Sequence, residues 1–122
     1  MSRAAPRPTE AFALRDWRVD DCRGHRVGTV AAVYAVPDAG APAWYLVRLG
    51  RYSTRFVLVP PADVLSWHGR ISLPWDRLLI ERAPLLYTVP GVVTEAMERD
   101  LRRHFRLAEV AGVRMIARRP IA

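Results

Sequence analysis

Lysine, asparagine and glutamine are absent from this 122-residue chain, and cysteine occurs once, at Cys22. A single thiol excludes an intrachain disulfide. No apolar run approaches the roughly 18 residues that a membrane-spanning helix needs. Met1 to Ala13 carries arginines but no long apolar core, so no signal peptide is expected. Histidine is confined to His25, His68 and His104, too few with one cysteine to suggest a four-ligand zinc site. Internal repeats and low-complexity segments are missing as well. These absences point to a cytoplasmic protein with no membrane span, no metal and no cofactor.

The lack of lysine changes how the charge is read. All 19 basic residues are arginine, set against 12 acidic ones for a net charge of +7. Lysine, asparagine and glutamine share A-rich codons, so their joint absence points to a GC-rich genome. Arginine then does lysine's ordinary solubilising work, and the excess charge is weak evidence for a nucleic-acid partner.

What is present is apolar. The hydrophobic fraction of 51% fits one globular domain. Val27 to Val36 reads as a strand, with Val27, Thr29, Ala31 and Val33 expected on one face and Val30, Ala32, Tyr34 and Val36 on the other. Pro37-Asp38-Ala39-Gly40 is a turn. Ala43 to Leu49 and Arg55 to Val59 form a hairpin around Gly50 to Thr54, and Pro60 and Pro61 end the second strand. Ala62 to Trp67 and Arg70 to Leu73 make a short hairpin about His68-Gly69. Trp75 to Ala83 reads as a helical turn stopped by Pro84. The clear helix is Thr94 to Phe105, where Val93, Met97, Leu101 and Phe105 form an apolar stripe. Glu95 and Glu98 precede Arg99, Arg102, Arg103 and Arg106, in the order the helix dipole favours. Leu107 to Ile116 reads as a weak strand or a tail.

Gly24-x-x-Val27-Gly28-x-Val30-x-x-Val33, followed by Phe56-Val57-Leu58-Val59-Pro60 and Ala62-Asp63-Val64, resembles the PRC-barrel family. Arg70-Ile71-Ser72-Leu73-Pro74-Trp75 with Ala83-Pro84 is similar to that family's last strand, short helical turn and closing proline. The family takes its name from the cytoplasmic domain of the photosynthetic reaction-centre H subunit and also supplies a domain of a ribosome-maturation factor. The resemblance implies a small, strongly bent antiparallel β-barrel that docks to other macromolecules and is not catalytic. The domain plan expected is a flexible tail over 1–13, a barrel over 14–84 and a C-terminal helical extension over 85–122, a stand-alone member of the family.

Each candidate site has a plain structural reading beside it. Cys22 and His25 are three apart and could in principle form a nucleophilic pair, but no signature surrounds them; a free thiol is the simpler reading. Asp20, Asp21, Asp63 and Asp76 could meet as an acid pair, although turn aspartates usually accept from backbone N–H groups. Gly24 and Gly28 enter a strand, not a helix, and so suit a tight turn and a bend better than a phosphate cradle. Arg48, Arg51 and Arg55, interleaved with Tyr45 and Tyr52, are the best nucleic-acid candidate, through stacking and charge; the alternative is a solvated hairpin.

The apolar surplus is more telling. A small barrel needs one apolar face per strand, yet Val27 to Val36 and Phe56 to Val59 are apolar on both. Trp17, Trp44, Trp67 and Trp75 add more. Either the helix stripe covers the barrel, or a second copy or another protein does. Trp44, Tyr45, Val57, Met97, Leu101 and Phe105 are the expected contact residues. The expected function is a non-enzymatic interaction module, with an RNA- or ribosome-associated factor using Arg48, Arg51, Tyr52 and Arg55 as the alternative.

Overall fold

The computed structural model describes residues 4–51, 53–61 and 65–106. Seven strands and two helices follow in order: β1 (Arg7–Thr9), β2 (Arg18–Asp20), β3 (Arg26–Ala35), β4 (Trp44–Leu49), β5 (Phe56–Val59), β6 (Leu65–Trp67), β7 (Arg70–Ser72), α1 (Arg77–Glu81) and α2 (Glu95–Phe105). The strands form one sheet in the order β5-β4-β3-β2-β7-β6, with β1 paired to β3 off this path. β3 is the organising strand. One edge carries β4; the other carries β2 along its first half and β1 along its second.

Three features depart from the sequence reading. The sheet is mixed, not antiparallel throughout, because β2 and β7 run parallel. A parallel pair needs a long crossover, and the excursion through β3 to β6 supplies it. The sheet is also open among the described residues: β5 and β6 end the order, and no ladder joins them. Finally, Arg7–Thr9, within the stretch expected to be a tail, pairs with Thr9 opposite Val33 and Arg7 opposite Ala35. The far half of β3 would otherwise be an open edge, and a short, proline-bearing strand is a common way to cover one.

β3 also breaks its expected alternation. Val30 pairs with Val47 and Ala32 with Leu46, so β3 holds an extra residue at this point. The faces exchange there, and Val33 and Tyr34 are both buried. A strand apolar on both sides does not specify its register by side-chain alternation alone. The bulge falls at two alanines, where little side-chain volume resists the added bend.

α2 forms where its composition and caps direct. The Thr94 side chain accepts from the Met97 N–H at 3.1 Å, and the Met97 sulfur faces the Thr94 N–H at 3.5 Å. Arg106 closes the helix in the left-handed region at φ 58°. Val93, Leu101 and Phe105 join the same buried cluster as Leu46, Leu58, Ile71 and Ile80, with Met97 packed at its margin. The Phe105 ring meets Trp75 at 4.7 Å between centroids, and the His104 Nε2 lies 2.6 Å from the Leu79 carbonyl oxygen. The stripe therefore covers the protein's own core and ties α2 to α1. Replacing Thr94 by Ala is expected to cost about 1 kcal/mol and to lower the melting temperature by roughly 3–5 °C in a domain of this size, read by circular dichroism. An unchanged melting temperature would mean the cap contributes nothing.

Candidate interaction surface

The polar clusters singled out in the sequence resolve into structural roles. Asp21, at the end of β2, is buried. Its Oδ1 accepts from the backbone N–H of Arg23 at 2.9 Å and of His25 at 2.8 Å, and its Oδ2 from that of Arg77 at 3.0 Å. The His25 Nδ1 stands 3.4 Å from Oδ2. Burial alone would raise this carboxyl's pKa. The bonds from His25, Arg23 and Arg77 outweigh it and hold the group below the ordinary aspartate value. One side chain thus closes the β2–β3 turn and anchors the start of α1.

Asp20, also buried, pairs with the Arg18 Nε at 2.6 Å and the Arg70 Nε at 3.4 Å. Asp76 caps α1 by accepting from the Leu79 N–H at 3.0 Å. Asp63 lies outside the described residues. Cys22 is exposed, and its backbone N–H donates to the Trp75 carbonyl at 3.0 Å. Among the described residues, no three His, Cys, Asp or Glu side chains gather as a metal-ligand set. Gly24 takes φ 85° in the turn, a conformation in which it has no steric rival.

The expected contact residues are placed inward. Trp44, Tyr45, Val57, Leu101 and Phe105 are buried in the core, and Met97 is half-buried. Trp44 and Tyr45 meet the surface only as part of the lining of a groove they share with Pro42, Pro60, Glu98 and Arg102. Their inward placement follows from the stripe's covering the sheet. It also accounts for the burial of a helix residue that the sequence marked only for its charge. Glu98 is only 3% exposed, and its Oε2 accepts from the Trp44 indole N–H at 2.8 Å. Arg102 stands 3.8 Å from its other oxygen, the i,i+4 pair the sequence suggests. The available signal was the tryptophan: an indole N–H taken into a core needs an acceptor.

The large apolar side chains that do face outward are elsewhere: Trp67 in β6, Leu78 in α1, and three that lie together after α1. After α1 the chain runs beside β5, where Phe56 and Leu86 exchange both backbone bonds, at 2.7 and 2.8 Å. Leu86 turns toward the core. Its neighbours alternate outward: Leu85 is 38% exposed, Tyr87 64% and Val89 49%. The Pro90 carbonyl accepts from the buried Tyr34 hydroxyl, and the Val93 N–H donates to the Pro6 carbonyl at 3.0 Å. The ridge is therefore held at both ends. Beside it lies a groove of about 290 Å³, lined by Pro8, Phe12, Ala31, Ala32, Val33 and Val89.

No family model matches this chain, and no curated protein matches it. Its surfaces carry the functional reading. Among the described residues, no helix is long and apolar enough to cross a membrane. Of the nucleic-acid candidates, Arg51 and Arg55 are exposed, and Tyr52 lies outside the described residues. Arg48 is half-buried, with its guanidinium 5.3 Å from the Phe56 ring centroid.

Proposed function

We propose that this chain is a non-enzymatic, cytoplasmic interaction module of the PRC-barrel type, and that it pairs with a second copy of itself. The carrying observation is the outward ridge of Leu85, Tyr87 and Val89. A single small domain gains nothing by fixing three large apolar side chains in water, so a partner surface is the economical reason for them. The groove beside the ridge favours self-pairing. Val89 belongs to both features, so they share one face. A two-fold axis next to that face would seat each ridge in the other copy's groove, with every contact made twice. Arg15, which also lines the groove, would supply a polar rim. The family reading is supported by the Gly24–Val33 entry, the proline stop after β5 and the short helix before Pro84.

Sedimentation equilibrium tests this. The wild-type chain is expected to dimerise, and Tyr87→Asp and Val89→Asp are each expected to weaken the dimer at least about tenfold. Tyr87→Phe should keep it, and circular dichroism should be the same for all four proteins. A wild-type chain that stays monomeric at the highest attainable concentration would rule out self-pairing.

A further inference from the structure

The arginines of this chain are not evenly neutralised. Arg15, Arg18, Arg70, Arg77, Arg102 and Arg103 each stand within 4 Å of a carboxylate. Arg7, Arg48, Arg82, Arg99 and Arg106 have no ion pair among the described residues, and four more arginines without one lie at one end of the sheet. β3 begins there with Arg26, and β4 finishes there at Leu49, opposite Gly28. The Gly50 N–H donates to the Val27 carbonyl at 3.1 Å, and the Leu49 N–H to the Arg55 carbonyl at 2.9 Å. These bonds set the β2–β3 turn, which carries Arg23, beside the β4–β5 tip, which carries Arg51 and Arg55. Arg23, Arg26, Arg51 and Arg55 are all exposed. None of the four has an ion pair among the described residues.

Two acids of this end, Asp20 and Asp21, are turned inward, while Asp76, exposed, shares a shallow pocket with Arg23. Asp20 is held by Arg18 and Arg70, and both Asp21 oxygens accept bonds from the backbone. The Val27–Gly50 bond is one residue from Arg26 on one side and from Arg51 on the other, which brings the two backbones close at this end. Like charges brought close together repel unless an anion lies between them.

We infer that this end of the sheet binds the phosphate backbone of a nucleic-acid duplex through Arg23, Arg26, Arg51 and Arg55. The chemistry separates this partner from an acidic protein. A protein interface needs a buried aromatic or aliphatic anchor; among the described residues Phe56, next to Arg55, is buried in the core, and Trp75, whose carbonyl accepts from the Cys22 N–H, is half-buried. Phe56 is thereby withdrawn from base stacking. What is left is a set of guanidinium forks, which match phosphate geometry. A duplex presents the densest line of phosphates, about one charge per 1.7 Å of axis. Contacts of this kind carry no sequence preference. The inference stands apart from the apolar ridge, which shares none of these residues, so either can fail alone.

Fluorescence anisotropy with labelled RNA and DNA duplexes of about 20 base pairs tests it. Four phosphate contacts should give a log–log salt slope near −3.6, so affinity should fall about 100-fold or more between about 50 and 200 mM salt. RNA and DNA duplexes of unrelated sequence should bind within about threefold of each other. Arg51→Glu with Arg55→Glu should weaken binding at least about 30-fold and flatten the slope by about 2. Arg23→Ala with Arg51→Ala, which adds no new charge, should flatten it similarly. Arg7→Glu with Arg99→Glu alters net charge as much as the first pair, at unpaired arginines on β1 and α2, and should change affinity less than about threefold. Equal losses from the control pair would reduce the effect to overall charge and overturn the assignment. So would a missing duplex complex at low salt, or tighter binding of polyglutamate than of either duplex.

Discussion

Gly28→Ala is expected to leave the chain unable to fold at physiological temperature. A Cβ placed on Gly28 would lie 1.7 Å from the Arg48 carbonyl oxygen and 2.8 Å from its carbon. Both atoms belong to the backbone of β4, so no rotamer change can relieve the overlap. The two strands must separate, and they form the centre of the sheet. Separation would break the ladder from Gly28–Leu49 to Tyr34–Trp44 and loosen Leu46 and Val47, both fully buried. The backbone angle of Gly28 is not in the left-handed region, so the requirement is for space rather than for conformational freedom. The expected cost is more than about 4 kcal/mol, the range reached only by severe core disruption and a large part of a typical stability of 5–15 kcal/mol. Urea unfolding and soluble yield measure it. A Gly28→Ala protein within about 1 kcal/mol of the wild type would refute the close approach of β3 and β4.

Asp21→Ala should be the next most damaging change, at roughly 3–4 kcal/mol. Three backbone N–H groups would lose a charged acceptor, and a bond to a charged group is worth about 1.5–3 kcal/mol, with neighbours adding less than fully. Asp21→Asn keeps one acceptor oxygen and should lose about half as much.

The same carboxylate gives stability a pH dependence of known sign. Its pKa is lower in the folded chain than the ordinary 3.8, so the unfolded chain binds the proton more tightly. The stabilisation is complete above 3.8 and drains away as pH falls through the folded value. The gap in urea stability between wild type and Asp21→Asn should therefore be widest near neutral pH and narrow once the pH drops below 3.8. A gap that stays constant across that window would mean Asp21 acts by shape alone.

Much of the secondary structure is legible in the residues, because its signals are local. Pro37 to Gly40 turns the chain, and Pro60 ends β5. Asp76 and Thr94 cap helices a few residues away, and acidic residues precede basic ones along α2. Each of these follows from backbone preferences or i,i+4 neighbours and needs no knowledge of distant parts. The proposed interaction surface was not legible in the same way. The sequence shows an apolar surplus in β3, β5 and the α2 stripe, and those are the residues that the folded chain buries. Of those left outside, Leu85, Tyr87 and Val89 sit in a connection that belongs to no strand or helix of its own.

By itself, then, the order of residues located β3 to β7 and both helices, though not β1 or β2, and showed that apolar surface exceeds what separate elements can hide. Tertiary structure alone decided the parallel joining of β2 to β7, the bulge at Ala31, the capture of Arg7–Thr9 by β3 and the burial of Glu98 against Trp44, 54 positions away. The reason is range. Local geometry is set by neighbours along the chain. Which of two apolar faces is covered, and which carboxylate meets a buried N–H, is settled only when distant segments compete for the same core.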